Sequence, residues 1–233
     1  MTSKTQFYSN FAVAYHSAFR PHFRRGGTLG KKRDAWRNVA EHCLVAGVLA
    51  KHLAKLMGLS AVQIKNVTYA AILHDWNKKH ETLMRKQSVS MASLRSLLMQ
   101  MRDADQQILL QMGYSQAIVR LAGANVPADQ DGPQTDEEKI VWYVDAMLTD
   151  TQPSRISDRF DELERHPLRG KSNIEFSNSF VEVYGISLYD LQRRIATKVE
   201  SYIASRIGFT GIPEELPFAL EEIVKAKISN HAN

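Results

Sequence analysis

The sequence predicts an all-α protein, a compact helical bundle with additional helices at its C-terminal end. Three observations carry this expectation. No proline occurs from residue 22 to residue 126, that stretch is rich in Ala, Leu, Met, Lys and Gln at helical spacing, and no convincing run of alternating apolar and polar residues occurs anywhere. With 233 residues, 44% of them hydrophobic and 24% charged, the composition is that of an ordinary folded domain and excludes disorder for most of the chain.

In chain order, the first helix is expected over 5–19, where Phe7, Phe11 and Tyr15 recur every four residues with Tyr8 and Phe19 nearby, a stripe suited to packing on a body. The second covers 36–57 and is stopped by Gly58. The third covers 60–75 with Ser60 as N-cap. Helices then follow over 90–112, stopped by Gly113, over 115–122, and over 135–149, where Thr135 is the cap and Glu138 its capping-box partner. The last three cover 155–165, 187–207 and 213–229. Ala124 to Pro133, with Asp129, Asp131, Gly132 and two prolines, reads as a loop, as does Pro167 to Asn173. These elements make one domain: a basic aromatic arm over 1–35, a core over 36–165, and C-terminal helices over 166–233. In the helix over 187–207, Leu188, Leu191, Ile195, Val199, Tyr202 and Ile203 share an apolar face, suited either to packing on the core or to joining two copies of the chain.

Charge is unevenly placed. Thirty Lys and Arg against twenty-five Asp and Glu give +5, yet Lys4, Arg20, Arg24, Arg25, Lys31, Lys32 and Arg33 all precede the first acid, Asp34. Without those seven the chain is slightly acidic, so the body is not a basic nucleic-acid binder. The arm reads as a solvated tail, as a patch for a phosphate-bearing ligand, or as an acid-poor transit peptide. Its run Gly26, Gly27, Thr28, Leu29, Gly30, Lys31 is not a phosphate loop: Arg25 stands where the first glycine belongs, Lys32 replaces the hydroxyl residue, and no strand precedes it. A single cysteine, Cys43, excludes an intrachain disulfide and any multi-thiolate zinc site and suits a reducing compartment. No apolar stretch approaches the roughly 18 residues of a membrane span. A soluble, cytoplasmic protein without a membrane partner is expected.

Three polar residues fall on apolar helix faces, and a fourth directly follows one of them. His42 lies among Val39, Cys43, Ala46, Leu49, Leu53 and Leu56, and His74 extends the face of Val67, Ala70 and Ala71. Asp75 follows at a helix C-terminus, where the dipole disfavours a carboxylate. Asp145 shares the face of Val141, Val144 and Leu148. Burying unpaired carboxylates costs several kcal/mol each, and the apolar faces offer no Lys or Arg partner. A divalent cation would satisfy all four groups, and two imidazoles with two carboxylates suit Mn, Fe, Co, Ni or Zn better than Ca.

The order His42, then His74 and Asp75, then Asp145 resembles the HD superfamily of metal-dependent phosphohydrolases, an all-α fold named for its His-Asp doublet. Asn38 to His42 is similar to that family's first ligand helix, Ala71 to Lys78 to its doublet in the HDxxK variant, and Glu138 to Asp145 to the helix that delivers its last aspartate. The resemblance covers about residues 36–165. It implies that His42, His74, Asp75 and Asp145 hold one divalent metal ion whose bound water attacks phosphorus. Asp75 would orient or deprotonate that water, and Lys78 would offset phosphate charge. Lys79, Arg37, Arg24 and Arg25 are weaker substrate-binding candidates.

The two-metal branches add histidines between doublet and last aspartate. Residues 81 to 165 contain none, and His80 is very close to the doublet, so one ion is expected. Lys78 stands where the 5′-nucleotidase-like branch has an acid, which argues against that branch. The extra ligands of di-iron oxygenase relatives are missing. The expected activity is hydrolysis of a phosphate ester, in a nucleotide or a phosphodiester. Two rivals are a nuclease of the kind that works with CRISPR helicases, with the arm tracking single-stranded nucleic acid, and a non-catalytic module that keeps the metal as a staple or sensor.

Overall fold

A computed structural model describes residues 37–78, 103–123, 131–165 and 173–229. The arm, including the helix expected over 5–19, lies outside the described residues, as do the first part of the helix expected over 90–112 and most of the two expected loops.

The described chain is all-α. Helix α1 is Arg37–Leu56 and α2 is Ala61–Leu73. Gly58, at φ +75, makes the left-handed turn between them that a side chain would resist. Ser60 caps α2 in a capping box with Gln63. Residues 103–111 form α3, followed by α4, Gln116–Ala122. Helix α5 is Asp136–Ala146, opened as expected by the Thr135–Glu138 capping box, with Thr135 N–H donating to Glu138 Oε2 at 3.0 Å. It stops three residues before its expected end at 149. There Leu148–Thr149 (β1) pairs antiparallel with Gln152–Pro153 (β2) around a two-residue turn. The hairpin corrects the purely helical expectation locally. Its strands are too short to show an alternating pattern, and Asp150 turns the chain with φ +55, a conformation Asp accepts more readily than most residues.

Helix α6 is Ile156–Arg165. Two short helices absent from the sequence expectation follow, α7 over Asn173–Asn178 and α8 over Val181–Tyr184. Neither is long enough to show a helical period. The C-terminal part is α9, Leu188–Ile207, a 3₁₀ turn over Pro213–Glu215, and α10, Leu216–Ser229.

One hydrophobic cluster reaches from Ala46 to Val224. Helices α1 and α2 pack most closely, α5 lies against both, and α4 covers α2. Helix α9 rests on α5 and α6 through Leu191, Ile195, Val199 and Ile203, so its apolar face packs on the core of the same chain. Helix α10 returns to α1. The close approach of α1 and α2 depends on Gly47: a Cβ there would overlap Cγ1 of Ile72 and lie 3.0 Å from its Cδ1. No helix of the described residues is long and apolar enough to cross a membrane.

One acid sits badly in this core. Glu200 on α9 is buried and its Oε1 accepts no hydrogen bond. Burial, reinforced by Glu214, pushes its pKa up to about 7. A folded-state value above the unfolded one means that ionisation disfavours the fold progressively from about pH 4.5 to pH 7. The stability gap between Glu200→Gln and the parent should therefore move in the variant's favour between pH 4.5 and pH 8, by roughly 3 kcal/mol. Urea titrations at the two pH values check this, and a constant gap would contradict it.

Candidate metal centre

Three of the four expected ligands meet. His42 comes from the second turn of α1, His74 from the residue that caps α2, and Asp145 from the last turn of α5. His42 Nε2 lies 3.1 Å from Asp145 Oδ1 and 3.2 Å from His74 Nε2, and the third edge, His74 Nε2 to Asp145 Oδ1, is 3.4 Å. Among the described residues these form the one group of His, Cys, Asp or Glu able to hold a metal ion.

The hydrogen bonds on the far sides of the rings decide what the near sides offer. His42 Nδ1 donates to the main-chain oxygen of Asp150 at 2.6 Å, and His74 Nδ1 to that of Ala71 at 2.7 Å. A carbonyl only accepts, so each Nδ1 carries the proton, and in the neutral ring each Nε2 presents a lone pair. With both rings neutral, two lone pairs and a carboxylate oxygen converge on one point, and a cation is what they lack: a proton in the metal-free protein, or a metal ion. The spacing fits a metal ion. Ligands at about 2.1 Å from one ion stand about 3.0 Å apart at octahedral angles and about 3.4 Å apart at tetrahedral ones, and the three observed edges fall between those limits. Backbone carbonyls orienting ligand imidazoles are the usual outer support of such sites.

Asp75 and Lys78 lie beside this cluster rather than in it. Helix α2 ends at Leu73, so the doublet occupies tight turns, with Trp76 N–H bonded to Leu73 O at 3.0 Å and the Trp76 ring packed on the core. Asp75 Oδ2 is 3.8 Å from His74 Nε2, while its Oδ1 is 3.3 Å from Lys78 Nζ. The histidines form a sealed floor, with side chains 1% and 9% exposed, whereas Asp75 and Asp145 keep 22% and 24%. The site therefore opens to solvent on its carboxylate side.

Arg159, which the sequence reading missed, changes the charge balance. From α6 it donates to the main-chain oxygen of Asp145 and approaches Asp145 Oδ1 to 3.3 Å. The expectation that neither carboxylate has a Lys or Arg partner is thus corrected: Lys78 serves Asp75 and Arg159 serves Asp145. A signal was present, since Arg159 falls on the buried stripe of α6 between Ile156 and Leu163. The main-chain oxygen of Asp150 had no such signal, because a carbonyl leaves no mark in a sequence. Of the weaker candidates, Lys79, Arg24 and Arg25 lie outside the described residues, as does His80. Arg37 opens α1, but its side chain is not among those described.

Electrostatics favour positive charge between the ligands. Burial alone would lower the His74 pKa, but Asp145 and Asp75 overcome it and push the ring up to about 9. Burial would raise Asp145, yet Arg159 and His74, with the hydrogen bonds from both histidines, hold it well below the usual carboxylate value. Asp75 is likewise held down against burial, by Lys78 and then His74. Cys43 is buried, burial followed by Asp75 pushes its thiol well above its ordinary value, and it is not a member of the convergent group.

A pH dependence follows for the metal-free protein. The folded-state value of His74 lies above its unfolded value, so its contribution is full below about pH 6.5 and lost as pH rises through about 9. In chelator, the melting temperature should fall between pH 7.5 and pH 9 more steeply in the parent than in His74→Gln. Parallel curves would contradict the assignment. Comparison with family models, curated proteins and solved structures finds no match to this chain.

Proposed function

We propose that this chain is a metal-dependent phosphohydrolase of the HD kind, which holds one divalent ion, Mn, Fe, Co, Ni or Zn, and cleaves a phosphate ester, with nucleotides foremost. The observation that supports this reading is the convergence of two imidazole lone pairs and a carboxylate oxygen within 3.4 Å, each imidazole locked by a carbonyl behind it. His42, His74 and Asp145 would hold the ion, and three protein ligands leave positions open for water and substrate, as catalytic sites require. The ion, when bound, supplies Lewis acidity, lowering the pKa of a water and polarising a phosphoryl oxygen.

The remaining steps belong to the chain. Asp75, ionised and partly exposed beside His74, orients the attacking water and accepts its proton. Lys78, 40% exposed on the same rim, offsets charge that builds on the phosphoryl oxygens. The floor of buried rings keeps bulk water from the ligand side of the site.

A panel of nucleotides, dinucleotides and oligonucleotides, each with several divalent metals, tests the reading. Elemental analysis should return close to one ion per chain, and at least one phosphoester should be hydrolysed in a chelator-sensitive manner. Metal retained without turnover across the panel would favour a binding module, and two ions at full activity would reveal further ligands, His80 first.

A further inference from the structure

Arg159 is not among the residues assigned to substrate in the reading above, yet it stands at the rim. Of the five N–H donors of a guanidinium, one reaches the main-chain oxygen of Asp145 and another its Oδ1. The side chain is 18% exposed, beside an Asp145 carboxylate that keeps 24%. Donors therefore remain for a ligand, in the planar fork that matches a phosphoryl group.

The charge balance says what kind of ligand. Among the described charged groups touching the cluster or its direct partners, Asp75 and Asp145 are offset by Lys78 and Arg159, and both imidazoles are neutral when they act as ligands. Asp150 contributes its carbonyl to the cluster and is itself an exposed residue, where charge is screened by solvent. Counted over the described residues, the site is thus close to neutral before an ion arrives, and a divalent ion leaves a surplus of two positive charges there. A phosphomonoester carries two negative charges at neutral pH and a phosphodiester one.

We infer that Arg159 binds a phosphoryl oxygen of the substrate and that the substrate presents a terminal phosphate dianion, making the enzyme a phosphomonoesterase. This rests on the phosphohydrolase reading. The guanidinium shares Asp145 with the ion on one edge and takes the phosphate on another, so the same residue reports whether the ligand-binding carboxylate is charged and whether the anion is seated.

The test measures binding rather than turnover. Metal-loaded parent, Arg159→Gln and Arg159→Lys are titrated calorimetrically with inorganic phosphate and with dimethyl phosphate, with metal content measured on the same samples. The parent should bind inorganic phosphate at least tenfold more tightly than dimethyl phosphate. Arg159→Gln should keep its metal and lose at least tenfold in phosphate affinity. Arg159→Lys, which keeps the charge but not the fork, should lose severalfold, and it decides the matter if the glutamine variant does not fold. Unchanged phosphate affinity in either folded variant overturns the inference, as does a parent that prefers the diester. Loss of metal from Arg159→Gln would also overturn it, by reducing Arg159 to a positioning residue for Asp145. A parent that binds no metal would instead bring down the phosphohydrolase reading itself.

Discussion

Asp145→Ala is expected to empty the metal centre and abolish turnover. The substitution removes the one anionic member of the three-atom cluster, leaving two imidazoles that bind an ion far more weakly. A catalytic metal supplies several kcal/mol of transition-state stabilisation, and each 1.36 kcal/mol is tenfold in rate, so a fall of ~10³-fold or more is expected. Metal content should drop from near one ion per chain to a small fraction. Because Arg159 would be left beside a vacated partner, some stability is lost too. Asp145→Asn separates the effects: it keeps shape and volume, so folding measured by circular dichroism should survive while metal and activity do not. Normal hydrolysis by either variant would place the chemistry elsewhere.

Gly47→Val should be nearly as damaging, although Gly47 touches none of the ligands. A side chain at Gly47 meets Ile72, which is fully buried and cannot swing away, and the carbonyl of Thr68 lies 3.4 Å from the first added carbon. Helices α1 and α2 must then separate. Overpacking of this kind costs typically 1–3 kcal/mol and occasionally more, and the upper end, ~3 kcal/mol, is expected here because backbone blocks one direction of relief. The site feels the same displacement, since Gly47 is five residues from His42 and Ile72 two from His74. Widening the 3.2 Å gap between the two Nε2 atoms should weaken metal binding by at least tenfold even where the variant remains folded. Chemical denaturation and metal titration check the two parts, and parent-like values for both would show that α1 and α2 can yield.

Much of this arrangement was legible in the sequence, for physical reasons that differ by residue. Ser60 and Thr135 announce helix starts because capping is local chemistry, complete within four residues. His42, His74 and Asp145 stand out because a polar group on an apolar helix face needs an explanation, and the helical period gives its direction before any fold is known. Arg159 was harder: a long side chain on a buried stripe can lie along apolar surface and reach solvent, so its aim at Asp145 depends on how α6 packs. The hairpin after α5 was illegible. Met147, Leu148 and Thr149 suit a helix or a strand, and cross-chain pairing to Gln152 and Pro153 settles the choice. Asp75 was legible as a residue but not in its place, because its distance from the cluster depends on where α2 ends.

The turn at Asp150 has a consequence for how this chain can change length. Hairpin tips ordinarily accept added residues, since little depends on their exact path. Here the six residues from Asp145 to Asp150 carry a candidate ligand at one end and, at the other, the carbonyl that keeps the proton on His42 Nδ1. An insertion or deletion within that span would spare every ligand side chain and still leave His42 free to move its proton to Nε2, where it would block the ion. The segment is a spacer whose length sets where the proton sits on His42, and this surface turn should tolerate indels as poorly as a buried helix does.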